Sequence, residues 1–294
     1  MVTPLVAAAA LTPAAVSAQS ATRHVFVDVT RPSGAAEVDL RVEDFEIVEG
    51  GERREIVSAK MARRPSRLVL VVDSTDGIRQ PVGLVRTALT AFVKAIDPQI
   101  EMMLVSVAGT PQVRVRPTLE REEIVKSVAN IFGTTGANTM HRVIDDLFHR
   151  FGQTTDHRPV FVVLTTEGFE STQNINPQQI THVTDHFISR GGALHAVRLN
   201  VPLTAQSFRG GNLTEMPVTL MIGRDTGGAF TNISPNGLLE VMERLAVVIN
   251  DAYTKSPPVY HIEFAGAPPK GKPSPAPQVR VLREGLRLSV ISTP

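Results

Sequence analysis

Leu68-Val69-Leu70-Val71-Val72-Asp73-Ser74-Thr75-Asp76-Gly77 is the stretch that decides the fold. Its aliphatic run shows no alternation with polar residues, so the strand it forms has no solvent face. A strand buried on both faces belongs in a parallel sheet covered by helices on either side. The run ends abruptly in a carboxylate. Ligands of open α/β sheets bind beyond the carboxyl ends of strands. A carboxylate placed there has to be paired, hydrogen-bonded or metal-bound to offset its desolvation. Asp73 is therefore the first candidate functional residue.

Outward from this strand, Val82, Val85, Leu89, Phe92, Val93 and Ile96 recur at helical spacing. Pro81 just before them suits a helix start. Residues 102–107 read as the next strand, 119–131 and 140–151 as helices, and 160–165 as a second wholly apolar strand. A helix over 177–190 stops at Gly191-Gly192, a natural C-cap. Residues 193–199 follow as a strand, 201–217 as a polar loop and 238–253 as a strongly periodic helix. Such alternation predicts right-handed crossovers and an α/β, Rossmann-like, doubly wound and mostly parallel sheet.

The two ends have a different texture. Residues 25–29, 45–49 and 54–60 read as short strands, with Gly50-Gly51 as a turn. After Ser256-Pro257-Pro258, residues 260–264, 279–281 and 286–291 read the same way, around a Gly, Pro and Lys-rich loop at 266–277. Residues 24–62 and 257–293 are expected to pack together as one small β layer. The expected organisation is a leader over 1–18, an N-terminal β segment over 19–64, an α/β domain over 65–256 and a C-terminal β segment over 257–294.

Composition excludes several chemistries. The chain of 294 residues is 42 % hydrophobic and 20 % charged, which supports a full core. Its net charge of +1 gives no electrostatic draw to nucleic acid. Cysteine is absent, which removes disulfides, thiolate metal sites and cysteine nucleophiles together. Tryptophan is absent and tyrosine occurs only at 253 and 260, so stacking platforms for sugars or bases are not expected. No Gly-x-Ser-x-Gly elbow, Walker or Gly-x-Gly-x-x-Gly pattern occurs. His182 and His186 stand at i, i+4 on an expected helix, a zinc-like spacing. They lack the glutamate of zinc peptidases and a marked third ligand, and are read as exposed or capping side chains. His141 and His149 are placed on another helix surface. Gly227-Gly228 is read as a tight turn.

Residues 1–22 carry no charged side chain, and 2–16 are mostly Ala, Val and Leu. Val16-Ser17-Ala18-Gln19 offers a small-x-small site for cleavage after Ala18. The apolar stretch is too short and too broken by proline for a spanning helix. The reading is an exported protein, periplasmic or secreted, with no transmembrane segment in the mature chain.

Residues 42–51 (Val-Glu-Asp-Phe-Glu-Ile-Val-Glu-Gly-Gly), Leu68 to Gly77, Pro117-Thr118-Leu119, residues 225–230 (Asp-Thr-Gly-Gly-Ala-Phe) and residues 283–288 (Arg-Glu-Gly-Leu-Arg-Leu) form an ordered set. In that order they resemble the von Willebrand factor A domain, and in detail the exported bacterial VWFA-related proteins known from Acidobacteria. The resemblance spans almost the whole mature chain. It implies a metal-ion-dependent adhesion site built from Asp-x-Ser-x-Ser, a threonine from a second loop and an aspartate from a third. Hard oxygen ligands of this kind suit Mg²⁺.

Here the pattern is degenerate. Asp73 matches the aspartate, Thr75 stands at the first serine and Gly77 at the second. Asn138 stands at the threonine position with Thr139 beside it, and Glu167 replaces the third-loop aspartate. The implied ligand set is Asp73, Thr75, Asn138, Thr139 and Glu167, holding Mg²⁺ or Mn²⁺ weakly or no metal at all. Asp76 is a possible stand-in for the ligand missing at Gly77. The resemblance further implies a non-enzymatic protein that binds another protein through the loops at 73–80, 134–139 and 166–176, with Asp76, Gly77, Thr135, Gly168 and Glu170 on that face. The alternative is a metal-independent structural or assembly module of the bacterial cell envelope.

Overall fold

The computed structural model describes residues 22–136, 140–152, 157–166, 177–201, 218–266 and 277–292. In chain order these form β1 (Thr22–Thr30), β2 (Phe45–Glu49), β3 (Glu52–Arg54), β4 (Ile56–Arg63), β5 (Ser66–Asp73), α1 (Val82–Ala95), β6 (Glu101–Ala108) and β7 (Thr110–Thr118). They continue with α2 (Arg121–Val128), α3 (Met140–Leu147), β8 (Arg158–Thr166), α4 (Pro177–Ser189), β9 (Ala193–Leu199), α5 (Val218–Asp225) and β10 (Phe230–Ile233). The last elements are α6 (Leu238–Thr254), β11 (Pro258–Ala265), β12 (Gln278–Val281) and β13 (Arg287–Ser292).

The apolar run at 68–72 lies in β5, the middle of a six-stranded sheet ordered β10-β9-β8-β5-β6-β7. Its pairs are parallel except β6 with β7. Both faces of β5 are covered, as its sequence requires. Leu68, Leu70 and Val72 pack with Leu89 and Phe92 of α1, Ile124 of α2 and Leu245 of α6. Val69 and Val71 pack with Ile144 of α3, Phe187 of α4 and Ile222 of α5. Each such buried aliphatic side chain contributes about 1.5–3 kcal/mol, so this double-sided core dominates the stability of the sheet.

Four elements differ from the sequence reading. β7 occupies residues 110–118, where no strand was expected. It is an edge strand with Pro111 and Pro117, and only Val113 and Val115 lean on the core. α5 and β10 are short and lie in a stretch with no clear periodicity. The expected helix over 140–151 is α3 followed by a π-helical turn over Phe148–Gly152.

The strands at the two ends do pair with each other, but as two sheets rather than one layer. One is ordered β13-β1-β11-β4 and the other β12-β2-β3. Alternation gives each sheet one apolar face, and two such faces need one another. Val25, Val27, Tyr260, Ile262 and Phe264 of the first meet Phe45 and Ile47 of the second. The Tyr260 hydroxyl accepts the Leu40 N–H at 2.8 Å, so the largest side chain of this core buries no orphan oxygen. The opposite face of the first sheet carries His24, Phe26, His261 and Glu263.

Candidate functional site at the end of the central strand

β5 has β6 on one side and β8 on the other, so the chain reverses its winding direction here. In open α/β sheets this crevice is where ligands sit. Asp73 closes β5 and is fully buried. Its Oδ1 accepts the Thr75 N–H at 2.9 Å. Its Oδ2 accepts the Thr166 N–H at 3.0 Å and the Thr166 hydroxyl at 2.7 Å. These donors take the place of water around the carboxylate. The Thr75 and Thr166 hydroxyls are 3.5 Å apart, so three buried polar side chains from the ends of β5 and β8 and the turn after β5 form one node.

Gly77 is shaped by the same node. A Cβ at residue 77 would stand 2.9 Å from both Cβ and Oγ1 of Thr166. The room that a serine side chain needs at the second motif position belongs to Thr166. Asp76 forms an ion pair with Arg79 on the surface. Asn138, Thr139, Glu167, Gly168 and Glu170 lie outside the described residues.

The loop after α2 is fastened beside Asp73. The Thr134 N–H donates to the Ser74 carbonyl at 2.8 Å, making a parallel bridge between Thr75 and Thr134. Arg86 Nε donates to the Ile131 carbonyl at 2.7 Å. Ile131 is in the core, while the next residue, Phe132, is 53 % exposed. Thr135 and Gly136 further along this loop, and Arg79 and Gln80 after β5, are exposed as well. Phe132 is thus a solvent-facing phenylalanine on a loop tied by hydrogen bonds to Ser74 and Arg86. Sequence reading passed over Phe132 because it follows a helical apolar pattern directly and looks like its continuation.

The other sequence candidates fall elsewhere. His182 and His186 on α4 have their Nε2 atoms 3.0 Å apart at the surface, and the His149 ring stacks on His182 at 6.2 Å. Burial, then the neighbouring His182, lowers the His186 pKa. The Thr226-Gly227-Gly228 segment is a tight turn: Gly227 has φ 72°, and a Cβ at Gly228 would stand 1.8 Å from the Leu194 carbonyl oxygen. Next to Leu194, His195 of β9 is buried and accepts the Ala229 N–H at Nδ1, 3.0 Å away. Burial, with Arg158 nearby, pushes its imidazole down to about 4. Among the described residues, the group that brings three potential metal-ligating atoms together is none of these. It is His24, His261 and Glu263. These lie on strands far apart in the chain, and only the His-x-Glu alternation at 261–263 marks them locally.

No protein-family model and no curated protein sequence matches the chain. Solved structures similar to it include BatB of Bacteroides thetaiotaomicron, at 12 % identity and TM-score 0.49 over 65 % of this chain and 100 % of that one. A von Willebrand factor type A protein of Catenulispora acidiphila matches at 10 % identity and TM-score 0.49, over 94 % of this chain and 74 % of that one. The vWF domain of the type V pili tip protein Mfa5 from Porphyromonas gingivalis matches at 9 % identity and TM-score 0.49, over 65 % of this chain and 97 % of that one. Among the described residues no helix is long and apolar enough to cross a membrane. The chain has a Rossmann-like, mostly parallel six-stranded sheet with an antiparallel edge strand β7 and an aspartate ending its central strand, similar to these von Willebrand factor A structures, with an added pair of antiparallel sheets built from its two ends.

Proposed function

We propose that the protein is an exported, non-enzymatic binding module that docks a protein partner on the loops above the central sheet and needs no metal ion at Asp73 to do so. The observation that carries this reading is the loop pinned to Ser74 that holds Phe132 out to solvent. Exposed aromatic residues on rigid backbone are favoured anchors for protein partners, because little freedom is lost on binding. The fit for Mg²⁺ is poor. Oδ2 of Asp73 already accepts two bonds, and Thr166 fills the room of the second serine ligand. Mg²⁺ requires near-octahedral oxygen at about 2.0–2.1 Å, which the described residues of this node, Asp73, Thr75 and Thr166, do not by themselves offer. In this reading residues 1–18 are a removed leader, residues 65–256 are the binding domain and residues 19–64 with 257–294 are its β extension.

The test is affinity capture of envelope and extracellular proteins on immobilised mature chain, with Mg²⁺ or with a chelator. Capture that survives chelation and falls at least tenfold with Phe132→Ala supports the reading. Capture lost on chelation instead makes the Asp73 end a working metal site. A second reading, a structural or assembly module of the cell envelope, is favoured by Val57 and Val290, exposed on the edge strands β4 and β13. Edge strands template pairing with other chains. Capture kept in Phe132→Ala and lost in Val57→Lys selects that alternative.

A further inference from the structure

We propose that His24, His261 and Glu263 form a binding site for a divalent late first-row transition-metal cation, with Zn²⁺ the best-matched ion, on the outer face of the β13-β1-β11-β4 sheet. Strand register creates the site. His24 lies directly opposite Glu263 across the β1–β11 pair. His261 stands two residues before Glu263 and therefore on the same face. His24 Nδ1 is 3.0 Å from His261 Nε2 and 3.9 Å from Glu263 Oε1, and all three ligand atoms lie within 4.8 Å of one another. Tetrahedral Zn²⁺ with bonds of about 2.0–2.2 Å needs ligand atoms about 3.3 Å apart, so small side-chain rotations on a fixed backbone are enough to close the set.

The surroundings fit a metal centre open to solvent. The Ser58 hydroxyl donates to Glu263 Oε2 at 2.9 Å, which leaves Oε1 turned towards His24. Such outer contacts orient a ligating carboxylate. The Phe26 ring stacks on His261 at 4.6 Å and limits its rotation. His24 and Glu263 are 41 % and 33 % exposed, so a fourth position is open to water. Lys60 lies opposite His261 on β4 and opposes the cation, which moderates affinity. Two imidazoles and one carboxylate suit Zn²⁺, Ni²⁺ or Cu²⁺ and discriminate against Mg²⁺, which prefers oxygen. A bound ion would join β1 to β11, clamping strands from the two ends of the chain.

The experiment is a Zn²⁺ titration of the mature chain against a competing colorimetric chelator, with far-UV circular dichroism to confirm folding of every variant. The proposal predicts one equivalent bound to this site. His24→Gln and His261→Gln each weaken it more than tenfold, Ser58→Ala weakens it less, and the double variant His182→Gln, His186→Gln leaves it intact. Equal Zn²⁺ affinity in wild type and His261→Gln overturns the proposal, as does loss only in the His182, His186 variant. Absence of Zn²⁺ binding in the folded wild type also overturns it. Because Asp73 and Phe132 take no part, each of these outcomes is independent of the partner-binding reading.

Discussion

Two carboxylates in this molecule sit in opposite circumstances. Asp73 is fully buried at the end of β5 and receives two backbone N–H groups and one hydroxyl. Glu263 lies half-exposed on a sheet face beside two imidazoles and takes one bond from Ser58. Asp73, which the family resemblance marks as a metal ligand, accepts its three bonds from the protein's own donors. The position that no motif marks has three ligand atoms within 4.8 Å of one another on a half-exposed face. A buried carboxylate with its lone pairs engaged stabilises a fold. An exposed one among nitrogen ligands is free to exchange its neighbours for a cation.

Substitutions sharpen this contrast unequally. Asp73→Ala removes the shared acceptor and strands three buried donors, at a cost of about 3–5 kcal/mol in urea unfolding. A loss below about 1 kcal/mol would break the structural assignment of Asp73. The contrast extends to imidazoles, since His195 is buried whereas His24 and His261 are half-exposed. The His195 pKa is about 4 in the fold against an ordinary 6.5, so the unfolded chain takes up its proton first as pH falls. Its contribution is full above pH 6.5 and is lost as pH falls towards 4, by up to about 3 kcal/mol. Unfolding measured across that range should show this slope, and His195→Gln, which can still accept the Ala229 N–H, should flatten it.

Gly77→Ser restores the motif's residue type but meets Thr166 at 2.9 Å. It should cost about 1–3 kcal/mol by overpacking. Thr166→Ala in the same chain should recover part of that cost, a coupling that a double-mutant cycle reads directly. The smallest effect is expected at the other carboxylate. Glu263→Gln should leave the metal-free unfolding midpoint unchanged and register only in the Zn²⁺ titration.

The sequence made the central part of this arrangement readable because burial there is two-sided. Residues 68–72 and 160–165 admit no solvent face, and the apolar spacing from Val82 to Ile96 admits only a helix. The edges were not readable. β7 alternates weakly between two prolines, and β10 is four residues long. The end strands showed their alternation but not which apolar faces would meet, so two sheets were expected as one. Asp73 was legible as a strand-end carboxylate in need of partners. Its partner Thr166 was not, because register between β5 and β8 decides which side chain arrives beside it. The His24, His261 and Glu263 cluster depends on pairing between strands 237 residues apart, which local spacing cannot reveal.

The most direct measurement is thermal unfolding of the chain from Gln19 onward with 5 mM Mg²⁺, 5 mM Mn²⁺ or a chelator, compared with Asp73→Asn. Native-state binding at 100 times Kd would add about 2.7 kcal/mol, a shift of several degrees for most domains. The midpoint should be the same in Mg²⁺, Mn²⁺ and chelator, with Asp73→Asn lowered equally in all three. A cation-dependent rise in wild type that disappears in Asp73→Asn would contradict it and make the end of β5 a metal site after all.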